Sequence, residues 1–207
     1  MSKIKVVDYG HINWGPYVMR TNLPNYVIKK LKSEGVKAKE SYNRSLAGHL
    51  NHQFLYPVKF QQWFYSEIQP ILQAYRQGHC KYHGLKELNI EFQADDLWVN
   101  FMQAGDFNPI HTHDNCNLSA VLFVSMPDEI KQENINFKGN KNASNVAGPG
   151  ELRFITSPPI QNFITEKNFL PADGDLFIFP HNLPHSVAPF KSKVERISIS
   201  FNMKERI

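Results

Sequence analysis

The stretch NPIHTHDNCNLSAVLFV, residues 108–124, joins a polar segment rich in histidine to an apolar run that is typical of a buried strand. His111 and His113 lie two residues apart, and Asp114 follows directly. On a β-strand, side chains two residues apart face the same side, so both imidazoles can point into one mouth. This arrangement suits a metal ion. A loop that merely tolerates histidines is the alternative, and the rest of the chain has to distinguish the two.

The sequence around this stretch, from about residue 89 onward, has the texture of a β-rich domain. Short apolar runs alternate with turn residues. In ERISISFN, residues 195–202, apolar and polar side chains alternate, which predicts a strand with one apolar face. The set of runs predicts a sandwich or jelly roll. The eight predicted strands are NIEFQ, LWVNFMQAG, PIHTH, LSAVLFVSM, INFKG, DLFIFP, HSVAPF and RISISFN.

The region before this, residues 1–88, is predicted to contain helical and extended segments. Apolar residues recur at helical spacing over 21–35 and over 56–78, and both segments end at a glycine. Pro70 predicts a kink or break in the second helix. At 207 residues, the chain fits one structural domain in which this region packs on a core formed by residues 89–207.

The composition is that of an ordinary soluble globular protein, with 42% hydrophobic and 20% charged residues. No apolar run approaches the roughly 20 residues of a membrane-spanning helix, so no membrane partner is expected. The formal net charge is +4, with +5 in residues 1–40 and −1 in the rest of the chain. The basic residues in 1–40 are scattered and lack interleaved aromatics. This pattern favours a solvated surface over a nucleic-acid site.

The cysteines and the N-terminus indicate the compartment. Cys80 and Cys116 form neither a C-x-x-C motif nor a disulfide framework, so reduced thiols are predicted. The opening MSKIKVVDYGHINWG has no long apolar stretch and is not a signal peptide. A cytoplasmic protein is therefore expected, in the host cytoplasm if it is phage-encoded. The oligomeric state stays open, with a dimer as one option.

A second histidine signal lies in DGDLFIFPHNLPHSVAPF, residues 173–190. The segment predicts a buried strand, a short polar loop that carries an exposed His181, and a next strand that His185 opens. A histidine at this position is well placed to meet His111 and His113 across a jelly roll.

A third signal is VERISIS, residues 194–200, in which Arg196 begins the final strand and Ser198 shares its face. A guanidinium offers a bidentate fork to a carboxylate, and a hydroxyl adds a third donor. The alternative is an arginine on an edge strand in water.

Taken in order, WVNFMQAGDFNPIHTH, LSAVLFV, GDLFIFPHNLPHSV and RISISFN resemble the iron(II)- and 2-oxoglutarate-dependent oxygenases. The resemblance is closer to the oxygenases of this class found in bacteria and marine phages, which are relatives of the prolyl hydroxylases. It covers about residues 96–203, and its motifs are specific in combination. It implies a mainly β fold with N-terminal helices, in which a double-stranded β-helix of the cupin-like jelly-roll type holds iron(II) at one open end.

Carried over by position, His111 is the first metal ligand and His185 is the distal one. The wider superfamily has an acid where this chain has His113, so the resemblance implies a site of three imidazoles. Asp114 is the alternative third ligand if a bulge turns it inward. Otherwise Asp114 is a hydrogen-bond acceptor beside the ligands or a plain loop residue.

For the co-substrate, the resemblance implies that Arg196, with Ser198, binds the far carboxylate of 2-oxoglutarate. Asn100, together with Gln103 and Asn108, lies on the strand before the histidine motif and is expected to reach the metal mouth. No catalytic side chain beyond the metal ligands is predicted.

The implied activity is that of a hydroxylase that uses O₂. Decarboxylation of 2-oxoglutarate to succinate is coupled to oxidation of a substrate that no motif identifies. The loops over 138–170 and the N-terminal helices are expected to shape the substrate pocket. Two alternatives stay open: a cupin-like metalloenzyme that does not use 2-oxoglutarate, and a β-helix binding module without catalytic activity.

Overall fold

The computed structural model describes residues 15–43, 46–50, 52–86, 91–139, 146–156 and 165–206. Within these ranges, no helix is both long enough and apolar enough to cross a membrane. The elements in chain order are β1 (Met19–Asn22), α1 (Asn25–Gly35), β2 (Glu40–Ser41), β3 (His52–Leu55), α2 (Val58–His83), β4 (Glu91–Met102), β5 (Asn108–His111), β6 (Leu118–Ser125), α3 (Asp128–Gly139), β7 (Leu152–Ile155), β8 (Glu166–Phe169), β9 (Asp175–Pro180), β10 (His185–Val187) and β11 (Arg196–Arg206).

Two antiparallel sheets form the core. The larger sheet has seven strands in the order β1-β9-β6-β11-β4-β3-β2, and the smaller has four in the order β5-β10-β7-β8. β2, β3 and β4 lie side by side in sequence order, as do β7 and β8, whereas β9, β6, β11 and β4 come from distant parts of the chain, because the chain crosses repeatedly from one sheet to the other. A buried apolar cluster with Phe123 and Phe177 from the larger sheet and Phe154 from the smaller one joins the two. The predicted jelly roll is confirmed.

The N-terminal region contributes strands as well as helices to this architecture. β1 pairs with β9, β3 pairs with β4, and β2 pairs with β3, all in antiparallel register. The predicted boundary at residue 88 therefore divides the sequence but not the seven-stranded sheet, which includes strands from both sides of it.

The outer face of the larger sheet is covered by α1 and α2. Alternation along β11 places Ile199 and Phe201 on this face, where they join Leu31 of α1 and Phe64 and Ile68 of α2 in one buried cluster. All five side chains are almost completely buried. Their burial is the main hydrophobic contribution that holds the helices on the sheet.

Helix α2 is longer than the sequence predicts. It continues through Pro70 without a break, and it continues through Gly78, where the predicted end was wrong. At Gly78 a Cβ atom would clash with the hydroxyl of Tyr17, so this glycine permits a close approach between segments. The helix ends at Gly84, which has the left-handed φ of 64°.

Three of the predicted strand assignments change. INFKG lies in helix α3, whose first turn carries Asp128 and Glu129 and whose last turn carries Lys138, a distribution that favours a helix. NIEFQ and LWVNFM, where described, form the single strand β4. Strands β7 and β8 lie within the range 138–170 that was predicted as loops, and residues 140–145 and 157–164 of that range lie outside the described residues.

Candidate metal centre

His111 and His185 meet because their strands are neighbours in the smaller sheet. β5 ends at His111, β10 begins at His185, and the two residues are direct partners in the antiparallel register. Their ring centroids are 4.2 Å apart. His113 lies in the loop after β5, so the argument that placed both imidazoles on one strand was wrong for it. One potential ligand atom from each of the three residues nevertheless lies within 4.8 Å of the others.

Backbone carbonyls orient two of these rings. Nδ1 of His111 lies 2.8 Å from the Pro109 oxygen, and Nδ1 of His185 lies 2.9 Å from the Leu183 oxygen. A carbonyl only accepts hydrogen bonds, so each Nδ1 carries the proton and donates it. In the neutral ring, each Nε2 then has a free lone pair. Nε2 of His113 faces Nε2 of His185 at 3.3 Å.

Burial keeps the three imidazoles neutral. Burial, followed by the nearby His111, lowers the pKa of His185 to about 3. The same two causes, with His181, lower the pKa of His113 to about 4. Burial also lowers the pKa of His111. Because a metal binds the neutral imidazole, three neutral nitrogen donors in one cluster fit iron(II), and also nickel or zinc.

His181 takes part in this centre, although it was predicted to be merely exposed. It is partly buried, and its Nδ1 donates to the carbonyl oxygen of His113 at 2.7 Å. In return, the backbone N–H of His113 donates to the carbonyl oxygen of His181 at 2.9 Å. This reciprocal pair holds the loop that carries His113. No sequence signal indicates it, because the two residues belong to different loops.

Asp114 does not join the three clustered histidines, although it lines the cavity beside them. It is exposed. The next residue, Asn115, has a positive φ of 59°, so the chain turns sharply directly after Asp114. Within the described ranges, no hydrogen bond or ion pair involves the Asp114 carboxylate. The geometry therefore favours His113 over Asp114 beside His111 and His185.

A cavity of about 500 Å³ opens at the histidine cluster. The three histidines line it, as do Asn100 and Asn108, two of the three polar residues that were predicted to reach the metal mouth. The third, Gln103, does not line it, because its amide donates to Glu195 at 2.6 Å. Arg196 and Ser198 are also not among the residues that line the cavity.

Asn100 organises a polar layer on the inner face of the larger sheet. Its Nδ2 donates to the Ser200 hydroxyl at 3.0 Å and more weakly to the Ser198 hydroxyl at 3.4 Å. Its Oδ1 accepts a hydrogen bond from Gln53 Nε2 at 2.8 Å. Both ends of the Asn100 amide are thus engaged within the protein, and the Ser198 hydroxyl keeps its own hydrogen available for another acceptor.

Arg196 is a large side chain that is almost completely buried, with 1% exposure. Its Nη1 donates to the Gly150 oxygen at 3.3 Å, and its Cζ lies 5.3 Å from the centre of the Phe123 ring. Burial lowers the pKa of Arg196 to about 10, which still leaves it charged at neutral pH. Its Nε has no hydrogen-bond partner, and no carboxylate in the described part of the chain forms an ion pair with it.

The family model described as "Putative 2OG-Fe(II) oxygenase", in which 2OG denotes 2-oxoglutarate, matches residues 96–202, just over half of the chain. The chain belongs to this family. The predicted class, an oxygenase that uses iron(II) and 2-oxoglutarate, is confirmed. The matched residues include all three clustered histidines and Arg196. No curated protein shows a significant sequence match to the chain.

Solved structures of 2OG oxygenases share the fold. A prolyl-4-hydroxylase from Pseudomonas putida is 16% identical, with a TM-score of 0.56 over 92% of this chain and 93% of that one. The 2OG complex of a viral collagen prolyl hydroxylase from Paramecium Bursaria Chlorella virus-1 is 12% identical, with a TM-score of 0.56 over 92% and 97%. HygX from Streptomyces hygroscopicus, with nickel, 2-oxoglutarate and hygromycin B bound, is 9% identical, with a TM-score of 0.58 over 93% and 83%.

Proposed function

We propose that this 2OG-Fe(II) oxygenase is a hydroxylase in which His111, His113 and His185 hold the iron and Arg196 binds the far carboxylate of 2-oxoglutarate. The observation that carries the proposal is the unpaired charge of Arg196, on the inner face of the sheet that also lines the cavity. Burying a cation without an anion costs several kcal/mol, by rough estimate. A dicarboxylate held at its other end by the metal supplies the missing anion.

The register of the sheet supports the assignment of Ser198. Alternation along β11 puts Arg196, Ser198 and Ser200 on one face, and Ser200 lines the cavity. The Ser198 hydroxyl accepts a hydrogen bond from Asn100, so its own O–H is free to donate to a carboxylate. Asn100 therefore orients the serine, and its amide is not needed as a direct ligand of 2-oxoglutarate.

Binding at Arg196 requires a local rearrangement. The guanidinium does not line the cavity, and the Phe123 ring lies over it. For 2-oxoglutarate to reach Arg196 from the cavity, side chains between them have to move. We infer that the co-substrate opens this passage when it binds, with the charge-assisted hydrogen bonds to Arg196 offsetting the cost.

When bound, iron(II) supplies the activation of O₂ that organic side chains cannot provide. The protein's residues orient the metal ligands and shield the centre from water. The carbonyls of Pro109 and Leu183 hold the ring orientations of two ligands. Phe179 packs against His185 with 4.7 Å between ring centroids, and Phe154 lies at 6.2 Å. These rings exclude water from one side of the centre, which protects a reactive site from side reactions.

The two alternative functions differ in what they require of Arg196. A cupin-like metalloenzyme that does not use 2-oxoglutarate retains the histidine cluster but has no use for a buried unpaired guanidinium. A binding module without catalytic activity needs neither the histidine cluster nor the buried guanidinium. Because Arg196 is buried at 1% exposure and unpaired at Nε, it favours the 2OG enzyme over both.

The test is metal content followed by anaerobic calorimetric titration of 2-oxoglutarate into manganese-loaded protein. About one metal per chain and 2-oxoglutarate binding that depends on that metal are expected. Succinate formation in air with iron(II) then reports turnover. Metal binding without any 2-oxoglutarate binding at millimolar concentration would replace the proposal with the cupin-like alternative. Absence of both would leave the binding module.

We also propose a reducing cytoplasmic compartment. Cys80 and Cys116 are both free and buried, which supports this.

A further inference from the structure

The mouth of the cavity is acidic. Asp95, Asp96 and Asp114 line it, against a single lining cation, Lys204. Lys204 balances only part of this charge, since its ammonium lies 3.7 Å from Asp95 Oδ1 and its side chain is 43% exposed. Pairs of this kind contribute little in water.

Two aromatic rings connect these carboxylates to the histidine cluster. Tyr42 and Trp98 both line the cavity, and their ring centroids are 5.4 Å apart. Trp98 in turn lies 6.5 Å from the ring of His113. At the other end, the Tyr42 hydroxyl donates to Asp96 Oδ2. Aromatic faces and carboxylates both attract a cation, and here they lie in one wall of the cavity. The attraction is stronger where water is excluded.

Gln53 provides an independent observation that points to a donor on the ligand. It lines the cavity and is only 2% exposed, and among the described residues its Oε1 has no hydrogen-bond partner. The orientation of its amide follows from Asn100, whose Nδ2 donates to Ser200 and to the Ser198 carbonyl. Asn100 Oδ1 must then accept from Gln53 Nε2, which leaves Gln53 Oε1 as the free acceptor.

Gln53 and the acidic mouth belong to one continuous wall. The backbone N–H of Tyr42 donates to the Gln53 carbonyl at 2.9 Å, and the Tyr42 side chain extends to Asp96. Because a buried acceptor without a partner costs free energy, a ligand that donates a hydrogen bond to it gains affinity. A carboxylate attracts positive charge, and a free amide oxygen accepts a hydrogen bond. A ligand with a cationic nitrogen and an N–H donor satisfies both.

We propose that the primary substrate is a small molecule with a cationic nitrogen, an ammonium or a guanidinium, that binds Asp95 and Asp96 beside Tyr42 and Trp98. A second N–H or O–H group of the same molecule donates to Gln53 Oε1. The cavity volume of about 500 Å³ suits a small molecule. This inference rests on the proposed function, because the cation then orients the rest of the substrate toward the metal ligands.

The experiment compares pairs of probes of similar shape that differ in charge. Nα-acetyl-L-arginine amide is paired with Nα-acetyl-L-citrulline amide, and Nα-acetyl-L-lysine amide with Nα,Nε-diacetyl-L-lysine amide, so that the members of each pair differ in one cationic group and the neutral member carries none. Binding to protein loaded with manganese and 2-oxoglutarate is measured at low ionic strength by saturation-transfer NMR. Paramagnetic relaxation of the probe protons then reports their proximity to the metal. In at least one pair, the cationic member should bind about tenfold more tightly than the neutral one and relax faster.

The variants assign the preference to residues. The double variant Asp95→Asn/Asp96→Asn keeps the hydrogen-bond acceptor for Tyr42 but removes two charges, and it should lose the preference. Asp128→Asn, at a side chain 93% exposed on α3, removes one charge away from the cavity and should keep it. Equal binding of both members in both pairs, or a preference that survives in the double variant, overturns the inference.

The outcomes separate this inference from the proposed function. Saturation transfer needs no metal, so the charge preference is measured even if manganese does not bind. Failure of metal and 2-oxoglutarate binding with a retained preference refutes the proposed metal site, and with it a substrate role for the bound cation. Intact metal and 2-oxoglutarate binding without a charge preference refutes only the cationic substrate.

Discussion

The two faces of the seven-stranded sheet differ in what their side chains do. Strand β11 belongs to both: Ile199 and Phe201 point to the outer face, and Arg196, Ser198 and Ser200 point to the inner face. The outer face is apolar and is covered by α1 and α2. The inner face carries the polar layer and the buried guanidinium. The period of two along a strand therefore lets one segment supply both stability and chemistry.

The faces also differ in how completely their groups are satisfied. On the outer side, the buried Tyr56 hydroxyl donates to the Leu31 carbonyl at 2.8 Å, and Arg76 Nε, which lacks a hydrogen-bond partner, belongs to a guanidinium that pairs with Glu205 at 3.9 Å. On the inner side, Gln53 Oε1 and Arg196 Nε are buried without partners. Unsatisfied groups of this kind lower stability unless a ligand completes them. We therefore expect changes on the outer face to alter folding and changes on the inner face to alter binding.

The largest effect is expected at the metal centre, on the smaller sheet that faces this inner surface. His185→Ala removes the most buried of the three clustered imidazoles and should abolish stoichiometric binding of iron(II) or nickel. Metal content after dialysis measures this. His52→Ala, at an exposed histidine of β3 that does not line the cavity, is the control and should keep full occupancy. Full occupancy in His185→Ala would show that the metal binds elsewhere.

The outer face provides the next largest effect. Phe64 is fully buried and packs edge-on against Phe201, with 5.1 Å between ring centroids. Phe64→Ala should lower the free energy of unfolding by about 3–5 kcal/mol, from lost burial and the cavity that remains. Denaturant titration measures it. The folded variant should bind metal normally. A loss of metal affinity under conditions where the variant is folded would mean that the two faces are coupled.

A change at Arg196, on the inner face, should alter ligand binding rather than folding. Arg196→Ala should weaken 2-oxoglutarate binding by about two orders of magnitude, because charged hydrogen bonds of roughly 1.5–3 kcal/mol each are lost. Lysine at this position should rescue only part, since it lacks the bidentate fork. Metal binding should persist. Anaerobic calorimetry with manganese-loaded protein measures both affinities.

Arg196 also allows a sharper test of the difference between the two faces of the sheet. Arg196→Met replaces an unpaired buried charge by an apolar side chain of similar length. In the absence of 2-oxoglutarate, it should leave the free energy of unfolding unchanged or raise it, while abolishing the response to the co-substrate. A marked loss of stability without ligand would show that the Arg196 charge is already compensated within the fold, which would remove the main support for 2-oxoglutarate binding there.

The sequence predicted the inner and outer faces unequally well. The alternation of apolar and polar residues in RISISFN was sufficient to predict which side chains lie on each face of β11, because a period of two depends only on neighbouring residues. The pairing of β5 with β10, which joins His111 to His185, was expected only through the jelly-roll order. β7 and β8 were missed, because short strands at the ends of a polar segment carry little periodic signal.

Residues contributed by distant segments could not be predicted. Gln53 reaches Asn100 only because β3 joins the larger sheet beside β4, and no motif in the N-terminal region indicates that pairing. His113 lies in the cluster, but the strand alternation from which it was predicted fails, because the strand ends at His111. The loop instead places His113 through its reciprocal backbone contacts with His181.

The smallest expected effect is at Asp114, and it decides the identity of the third ligand. Asp114→Ala should leave metal affinity nearly unchanged, because the carboxylate is exposed and outside the histidine cluster. His113→Ala, one residue away, should weaken it severely, since it removes a nitrogen that lies 3.3 Å from His185 Nε2. Competition of nickel with a chelator of known affinity measures both variants. The reverse order, with Asp114 essential and His113 dispensable, would mean that metal binding turns the loop by one residue and recruits the carboxylate. The metal centre would then carry one negative charge more than three neutral imidazoles give it.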